Sequence, residues 1–332
     1  RTYLSDETLP YPLPVDLHEL HRQSLRTLLL FQLFGGPVCS PALVKHPPTR
    51  VLDLACGYGF WSMMCHSYFS RKGYSNISFT GLDIAPLGGI AGMKWEFVQH
   101  DMRILPLPFP DDEFDLVMCK ELSLVNKLTQ FQDLMDEFQR ILKPGGVLEA
   151  WDCDHPIRML RPHNEQENQV TELGAYFLGN NTPLSGPQNN YLIEYNSWIN
   201  KYLESQQLLS WPCANIGSYF LQEPLLTGFG FKRLAIPLTE VRWEREGAHS
   251  GDNCDGDKKG RILGSAQLAL RQTALQTVLG FIEGMEPSLR KVSGKKQDEW
   301  DTWMGKLMKE LVENDGANWG ECLEVGAWWA MK

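Results

Sequence analysis

Short, nearly unbroken apolar runs at 51–55, 78–83, 95–100, 114–119 and 147–152 have the length of strands. Several lack polar alternation, as expected of parallel strands covered on both faces. Between the last two runs, Leu128, Phe131, Leu134, Met135, Phe138, Ile141 and Leu142 fall on one helical face. Thr129 and Gln132 have capping-box spacing ahead of that helix, and Lys143-Pro144-Gly145-Gly146 ends it and turns the chain into the next strand. Strands alternating with helices predict an α/β fold with a doubly wound sheet.

The flanks follow other patterns. Prolines lead into a helix over 16–34, where Leu17, Leu20, Leu25, Leu28 and Leu29 recur at helical spacing and Gly35-Gly36 stops the run. A proline-broken connector follows to residue 48. Beyond 154 the chain turns polar and rich in Asn and Gln, with helices expected at 165–178 and 191–208. A further helix should end at Gly228, and "GFGFKRLAIPLTEVRW" reads as a strand. The glycine-rich stretch 245–260 reads as a mobile loop. Two amphipathic helices are expected at 262–285 and 296–313, the second with Trp300, Trp303, Met304, Leu307, Met308 and Leu311 on one stripe. "CLEVGAWWAMK" fits a last strand. These shifts divide the chain into an N-terminal extension (1–48), a core (49–160), a helical insertion (161–215) and a C-terminal part (216–332).

Composition narrows the partners. At 332 residues, 43% apolar and 22% charged, the chain is an ordinary globular protein, and its longest apolar run, "LLLFQLF", is far too short to span a membrane. A net charge of −10 argues against nucleic acid, whose phosphates call for a basic surface, and suits a basic peptide. Eight cysteines without a CxxC pair argue against zinc and for a reducing compartment, cytoplasmic or nuclear. No signal peptide is legible in a sequence that opens on Arg1, so the Asn-x-Ser/Thr matches at Asn76 and Asn180 are read as chance.

The chemistry concentrates in "VLDLACGYG". A strand, a glycine turn and a helix hold nucleotide-like ligands, but a dinucleotide wants GxGxxG, and here Gly57 and Gly59 are followed by Ser62. S-adenosylmethionine has no phosphate. Its carboxylate and ammonium can lie against the turn, and its ribose diol wants a carboxylate, which Asp83 at the end of "FTGLD" supplies. Asp101, ending "FVQHD", stands where an adenine amino group needs an acceptor. The glycine turn alone is a weak signal; its order with Asp83, Asp101 and "LKPGG" is a strong one.

Residues 50–152 resemble a class I S-adenosylmethionine-dependent methyltransferase, with a Rossmann-like sheet, an N-terminal helical lid and helical insertions. Ala55 stands where the family's first motif more often has glycine. That change is small provided the turn needs no positive φ there. The resemblance implies that Gly57 and Gly59 pass under the methionine end and that Asp53 orients it. It implies further that Asp83, with Ile84 beside it, binds the ribose, and that Asp101 with the Met102 backbone reads the adenine. "FDLVMCKE" resembles the fourth motif and places Cys119, Lys120 and Glu121 beside the cofactor.

The lead "YPLPVDLHELHR" resembles that of the fungal LaeA-like methyltransferases, the group containing VapB and VipC. Tyr11, Pro14, Asp16, Glu19 and Arg22 fit its pattern, while "QSLRT" departs from it. For Tyr11 and Arg22 a cofactor lid stands against a helix cap and a surface salt bridge. The resemblance implies a regulator of development and secondary metabolism that works with a protein partner, such as a second methyltransferase-like chain. The late tryptophan stripe, read as surface beyond what the sheet edge needs, points the same way.

Methyl transfer is an in-line displacement governed by positioning, so catalytic residues are poorly written. Glu121 and His155 are the weak candidates, with His155 in "AWDCDHP" at the end of the last core strand. A lone His before Pro is more often structural. The (D/N/S)PP(Y/F) signature of base and amide methylation is missing after the fourth strand. Three functions compete: a protein methyltransferase in a regulatory complex, a small-molecule O- or N-methyltransferase of secondary metabolism, and a cofactor-binding scaffold without turnover.

Overall fold

A computed structural model describes residues 1–6, 8–85, 90–162, 170–179, 182, 184–246 and 262–332. In chain order it contains α1 (Leu17–Phe34), α2 (Pro41–Lys45), β1 (Arg50–Leu54), α3 (Phe60–Arg71), β2 (Ser78–Asp83), β3 (Lys94–Gln99), β4 (Phe114–Lys120) and α4 (Phe131–Ile141). There follow β5 (Leu142–Cys153), β6 (Arg158–Leu160), β7 (Tyr176–Phe177), β8 (Leu184–Ser185), α5 (Asn190–Ser205), α6 (Pro212–Gln222) and β9 (Thr227–Pro237). The rest is α7 (Arg242–Glu246), α8 (Ser265–Gly284), α9 (Glu286–Ser293), α10 (Gln297–Val312) and β10 (Glu321–Met331). The fold is mixed α/β, and the chain divides into two compact units.

The first unit comprises Leu30–Asp152, Gln207–Lys232 and Gly326–Lys332. Its parallel strands run β3-β2-β1-β4-β5, with the end of β10 beside β5 and the start of β9 beyond it. The order reverses between β1 and β4, which is where open α/β sheets bind their ligands. β1, β2 and β4 are apolar and buried through nearly their whole length, whereas β3 alternates as an edge strand does. Leu52, Leu54, Val117, Cys119 and Leu148 on one face meet Leu134, Met135, Phe138 and Ile141 of α4 and Ile216 and Phe220 of α6. α4 stops at Ile141 and β5 starts at the next residue, so Lys143-Pro144-Gly145-Gly146 lies within the strand rather than turning the chain into it. There Gly145 donates to the Lys332 carbonyl and Lys332 to that of Gly146.

The second unit comprises Arg1–Leu29, Cys153–Gln206 and Arg233–Val325. β6 pairs antiparallel with the start of β10 and with β8, and β7 with the end of β9. Buried ion pairs organise it. Arg271 of α8 meets Glu244 of α7 through two bonds of 2.7 and 2.8 Å, with 1% and 3% of the side chains exposed. The same guanidinium donates to the carbonyls of Thr239 and Gly174, and the Tyr176 hydroxyl donates to Glu244. Glu324 is likewise enclosed between Arg158 and Arg233, and Arg158 also binds Asp154 at 2.9 Å.

Four expectations are corrected. On α1, Leu17, Leu25 and Leu28 are exposed and Glu19, Arg22, Arg26 and Thr27 are buried. Leu29 is buried as expected, but ahead of it the inward face is polar, because Arg22 chelates Glu19 and lies 5.6 Å over the Phe281 ring, while Arg26 donates to Thr277 and the Cys153 sulfur. The second correction concerns 170–178, which is not helical: Thr171 turns the chain at Gly174 (φ +82), and Tyr176–Phe177 pairs with Leu234 and Ala235. The rest of that expected helix, 163–169, lies outside the described residues, as does 247–261 of the expected loop. The Thr129/Gln132 capping box is not formed either, because a 3-10 turn (Leu128–Gln130) precedes α4 and Gln132 donates to Asp136 and Glu223. Finally, α6 ends at Gln222, one residue before Glu223-Pro224, rather than at Gly228.

The stripe of α10 is core except for Met308, which is exposed. Trp300, Trp303, Met304, Leu307 and Leu311 are buried, Trp198 of α5 lies 4.7 Å from Trp303 between ring centroids, and Trp303 donates to Glu194 at 2.6 Å. The surface argument for a protein partner is therefore withdrawn. Removing the Glu244 carboxylate would leave the Arg271 charge buried and unmatched. Glu244→Ala is expected to lower stability by about 3–5 kcal/mol, read as the shift of the chemical-denaturation midpoint.

Candidate active site

The turn after β1 places three left-handed residues within five: Ala55 (φ +51), Gly57 (+52) and Gly59 (+74). The Cys56 N–H donates to the Leu82 carbonyl at 3.1 Å, and the Gly57 N–H donates to Asp83 Oδ2 at 2.9 Å. The second oxygen of Asp83 accepts the Ala85 N–H at 3.0 Å. One carboxylate thus ties the glycine turn to the end of β2. A Cβ on Gly59 would come within 2.4 Å of Ile90 and 3.1 Å of Trp95, so packing as well as φ requires glycine there. Ala55 does adopt positive φ, so the proviso under which its replacement of glycine is small fails, and its methyl carries left-handed strain.

Below the turn, Asp53 is buried and accepts the Ser62 hydroxyl at 2.7 Å. The residue standing where a third glycine would be is thus the partner of the first motif's acid. Burial pushes the Asp53 carboxyl up to about 7, against the opposing pull of Lys120 and the Ser62 bond. In register, Asp53 lies beside Met118 and Met118 beside Glu149, so the two acids share one face of the sheet. Glu149 accepts the N–H groups of Cys39 (2.6 Å) and Ser40 (3.0 Å) and the Trp151 indole N–H (2.8 Å), and burial raises it to about 7 as well. Glu149 had no sequence signal beyond an acid inside an apolar run.

Asp101 follows β3. Arg103 grips both its oxygens at 2.7–3.2 Å, adds its own N–H, and against partial burial holds the carboxyl below the usual range. Met102 is buried, and the Ile84 carbonyl accepts from Gln99 at 3.0 Å. Cys119 is enclosed at the end of β4, where burial raises its thiol and keeps it neutral. Lys120 ends that strand, and Glu121 follows in the left-handed region (φ +54), its N–H donating to Trp151. Asp152 fixes the turn by accepting the Ser123 N–H and hydroxyl.

Tyr11, Arg22 and His155 belong to the second unit. The Tyr11 hydroxyl accepts from Gln23 at 3.1 Å, and Arg22 is the buried partner of Glu19. His155 is buried, stacked on Phe281 at 5.6 Å and 7°, and its carbonyl accepts the Tyr195 hydroxyl. None of the seven described cysteines is in a disulfide.

The Asp83 carboxylate tests the fit of a cofactor. Its two backbone bonds leave acceptor capacity on a half-buried group, as a ribose diol requires. Both Asp101 oxygens already serve Arg103, so an adenine amino group would share them.

Replacing Ala55 by glycine should release the left-handed strain at the usual entropic expense, a net gain of about 0.5–1 kcal/mol. Thermal unfolding of A55G measures it. Asp53 and Glu149 sit near 7 when folded, against ordinary values of 3.8 and 4.5, so the folded state holds more protons in between. Stability without ligand should therefore fall as pH rises from about 4.5 to about 7, and Glu149→Gln should reduce that slope in denaturation curves across the range.

Residues 51–146 match the family model of a methyltransferase domain. The chain is 33% identical over 133 residues to the fatty-acid O-methyltransferase of Mycolicibacterium smegmatis, spanning 33% of this chain and 44% of that protein. It is 32% identical over 115 residues to the demethylmenaquinone methyltransferase of Listeria monocytogenes, spanning 32% of this chain and 46% of that one. The chain thus spans less than half the length of these curated relatives. Phosphoethanolamine N-methyltransferase 2 of Haemonchus contortus, solved with S-adenosyl-L-methionine, is similar at 13% identity over 93% of this chain and 57% of that one. Its TM-score of 0.39 is too low to carry weight. The family match spans β1 to β4 with the glycine turn, α3 and α4 and ends as β5 begins, so it covers the point where the strand order reverses.

Proposed function

We propose that the whole chain is a working S-adenosylmethionine-dependent methyltransferase that holds its cofactor at the β1 turn. The observation carrying this reading is the Asp83 carboxylate, bonded to the Gly57 N–H at the point where the strand order reverses. In it, Ala55, Gly57 and Gly59 shape the floor for the methionine end, Asp53 orients that floor through Ser62, and Asp83 beside Ile84 takes the ribose hydroxyls. The Asp101–Arg103 pair and the Met102 backbone border the adenine, and Cys119, Lys120 and Glu121 form the neighbouring wall. The cofactor supplies a methyl group on a sulfonium. The chain contributes alignment and exclusion of water, which is where most of the rate of an in-line displacement originates.

The acceptor in this reading is a small molecule. The matched relatives are named for a fatty acid and demethylmenaquinone, and the tryptophan stripe that favoured a protein partner is buried. A second reading, methylation of protein within a fungal regulatory complex of the nucleus or cytoplasm, rests on the LaeA-like lead of Tyr11, Pro14, Asp16, Glu19 and Arg22. Incubating cell extract with the protein and labelled methyl donor separates them. Label in small molecules supports the first reading, label in protein supports the second, and none with an intact fold leaves a scaffold.

Asp83→Ala should weaken cofactor binding by about 1–3 kcal/mol, the range for losing hydrogen bonds to a charged acceptor. Calorimetry measures the change, with thermal unfolding as the check on the fold. NAD should not bind to either form.

A further inference from the structure

Where α9 meets α10 the charge of the molecule is locally inverted. The chain carries a net −10, yet "RKVSGKK" sets Arg290, Lys291, Lys295 and Lys296 within seven residues. Gly294, left-handed at φ +72, reverses the chain there. An open basin of about 400 Å³ results, lined by Pro287, Arg290, Lys291, Gly294 and Lys295.

The three lining cations differ in what holds them. Arg290 is oriented through Nη1, which donates to Glu286 and Gln297, and Gln297 is braced by Glu286 and Asp301. Its Nε–H is buried with no hydrogen-bond partner. Lys295 lies 5.3 Å over the Trp198 ring, which positions the ammonium without neutralising it. Lys291 forms no ion pair among the described residues. Among the described residues Glu286 is the one carboxylate paired with these cations, and it answers a single charge. The partial negative charge at the end of α9, about half a unit, opposes an anion but is small beside the cations.

We propose that this basin binds a phosphate-bearing anion. A phosphate offers three oxygens to be met from different directions. The Arg290 guanidinium, held in place by Glu286 and Gln297, supplies a fixed positive charge, and the two ammonium groups supply adjustable donors. A singly charged carboxylate would use fewer of them. The phosphate can come from a soluble metabolite or from a lipid headgroup, since both present the same group.

The full chain is titrated by calorimetry at low salt with inorganic phosphate and inositol trisphosphate, and assayed for flotation with phosphatidylcholine vesicles containing phosphatidylinositol phosphate. Saturable binding of a soluble probe identifies a metabolite site, and capture on the vesicles alone identifies a headgroup site. In either case Lys291→Glu with Lys295→Glu should weaken binding by roughly tenfold or more, as loss of one charge-assisted bond implies. Arg290→Lys, which keeps the charge and removes the guanidinium edge, should weaken it too. Circular dichroism confirms that each variant folds. No saturable binding to any probe, or binding unchanged by the charge reversal, overturns the proposal.

Discussion

The bond between the Gly57 N–H and Asp83 is the constraint on which the site depends. A turn with three left-handed residues has little reason to hold one shape by itself, and one of them is an alanine. Asp83 supplies the reason, because it is carried on a buried parallel strand and reaches across to the turn. Its burial disfavours the charged form, and the N–H groups of Gly57 and Ala85 offset part of that penalty. Asp53 repeats the device one layer lower through Ser62, and Glu149 repeats it again for the connector at Cys39 and Ser40. In each case a carboxylate on a strand fastens the neighbouring segment through hydrogen bonds, so each fastening is directional.

The second unit uses ions differently. Arg271 with Glu244 joins two successive helices, and Glu324 with Arg158 and Arg233 joins strands far apart in sequence. Apolar residues of similar volume could stabilise such contacts equally well, but they would tolerate many arrangements, whereas a buried guanidinium tolerates few. The inward face of α1 follows the same principle, with Glu19 and Arg22 inside and three leucines outside.

That face shows where the sequence stops being legible. β1, β2, β4 and β5 could be read because strands buried on both faces are largely apolar, and β3 by its alternation at the edge. Asp83 and Asp101 stood out because the ligand expected at the turn calls for acids at strand ends, and Asp53 through the resemblance of its motif. On α1 the leucine spacing held for Leu29 and failed for Leu17, Leu25 and Leu28, since a pattern of apolar residues cannot reveal that a partner helix presents Thr277 and Phe281 to two arginines. Tyr176–Phe177 was missed because a strand of two residues leaves no period to detect. Glu149 was invisible for another reason: its partners are backbone groups more than a hundred positions away.

The segmented build of the first unit bears on how the protein is made. Gly326–Lys332 belongs with β1 to β5, and Lys332 exchanges backbone bonds with Gly145 and Gly146. During synthesis the edge of β5 must wait for the remainder of the 332-residue chain, on the order of ten to forty seconds at ordinary translation rates. Until then β5 presents unpaired backbone groups beside an apolar face, a template for any other nascent strand. The hazard to this fold is therefore concentrated on the ribosome, before the last strand exists to close the edge.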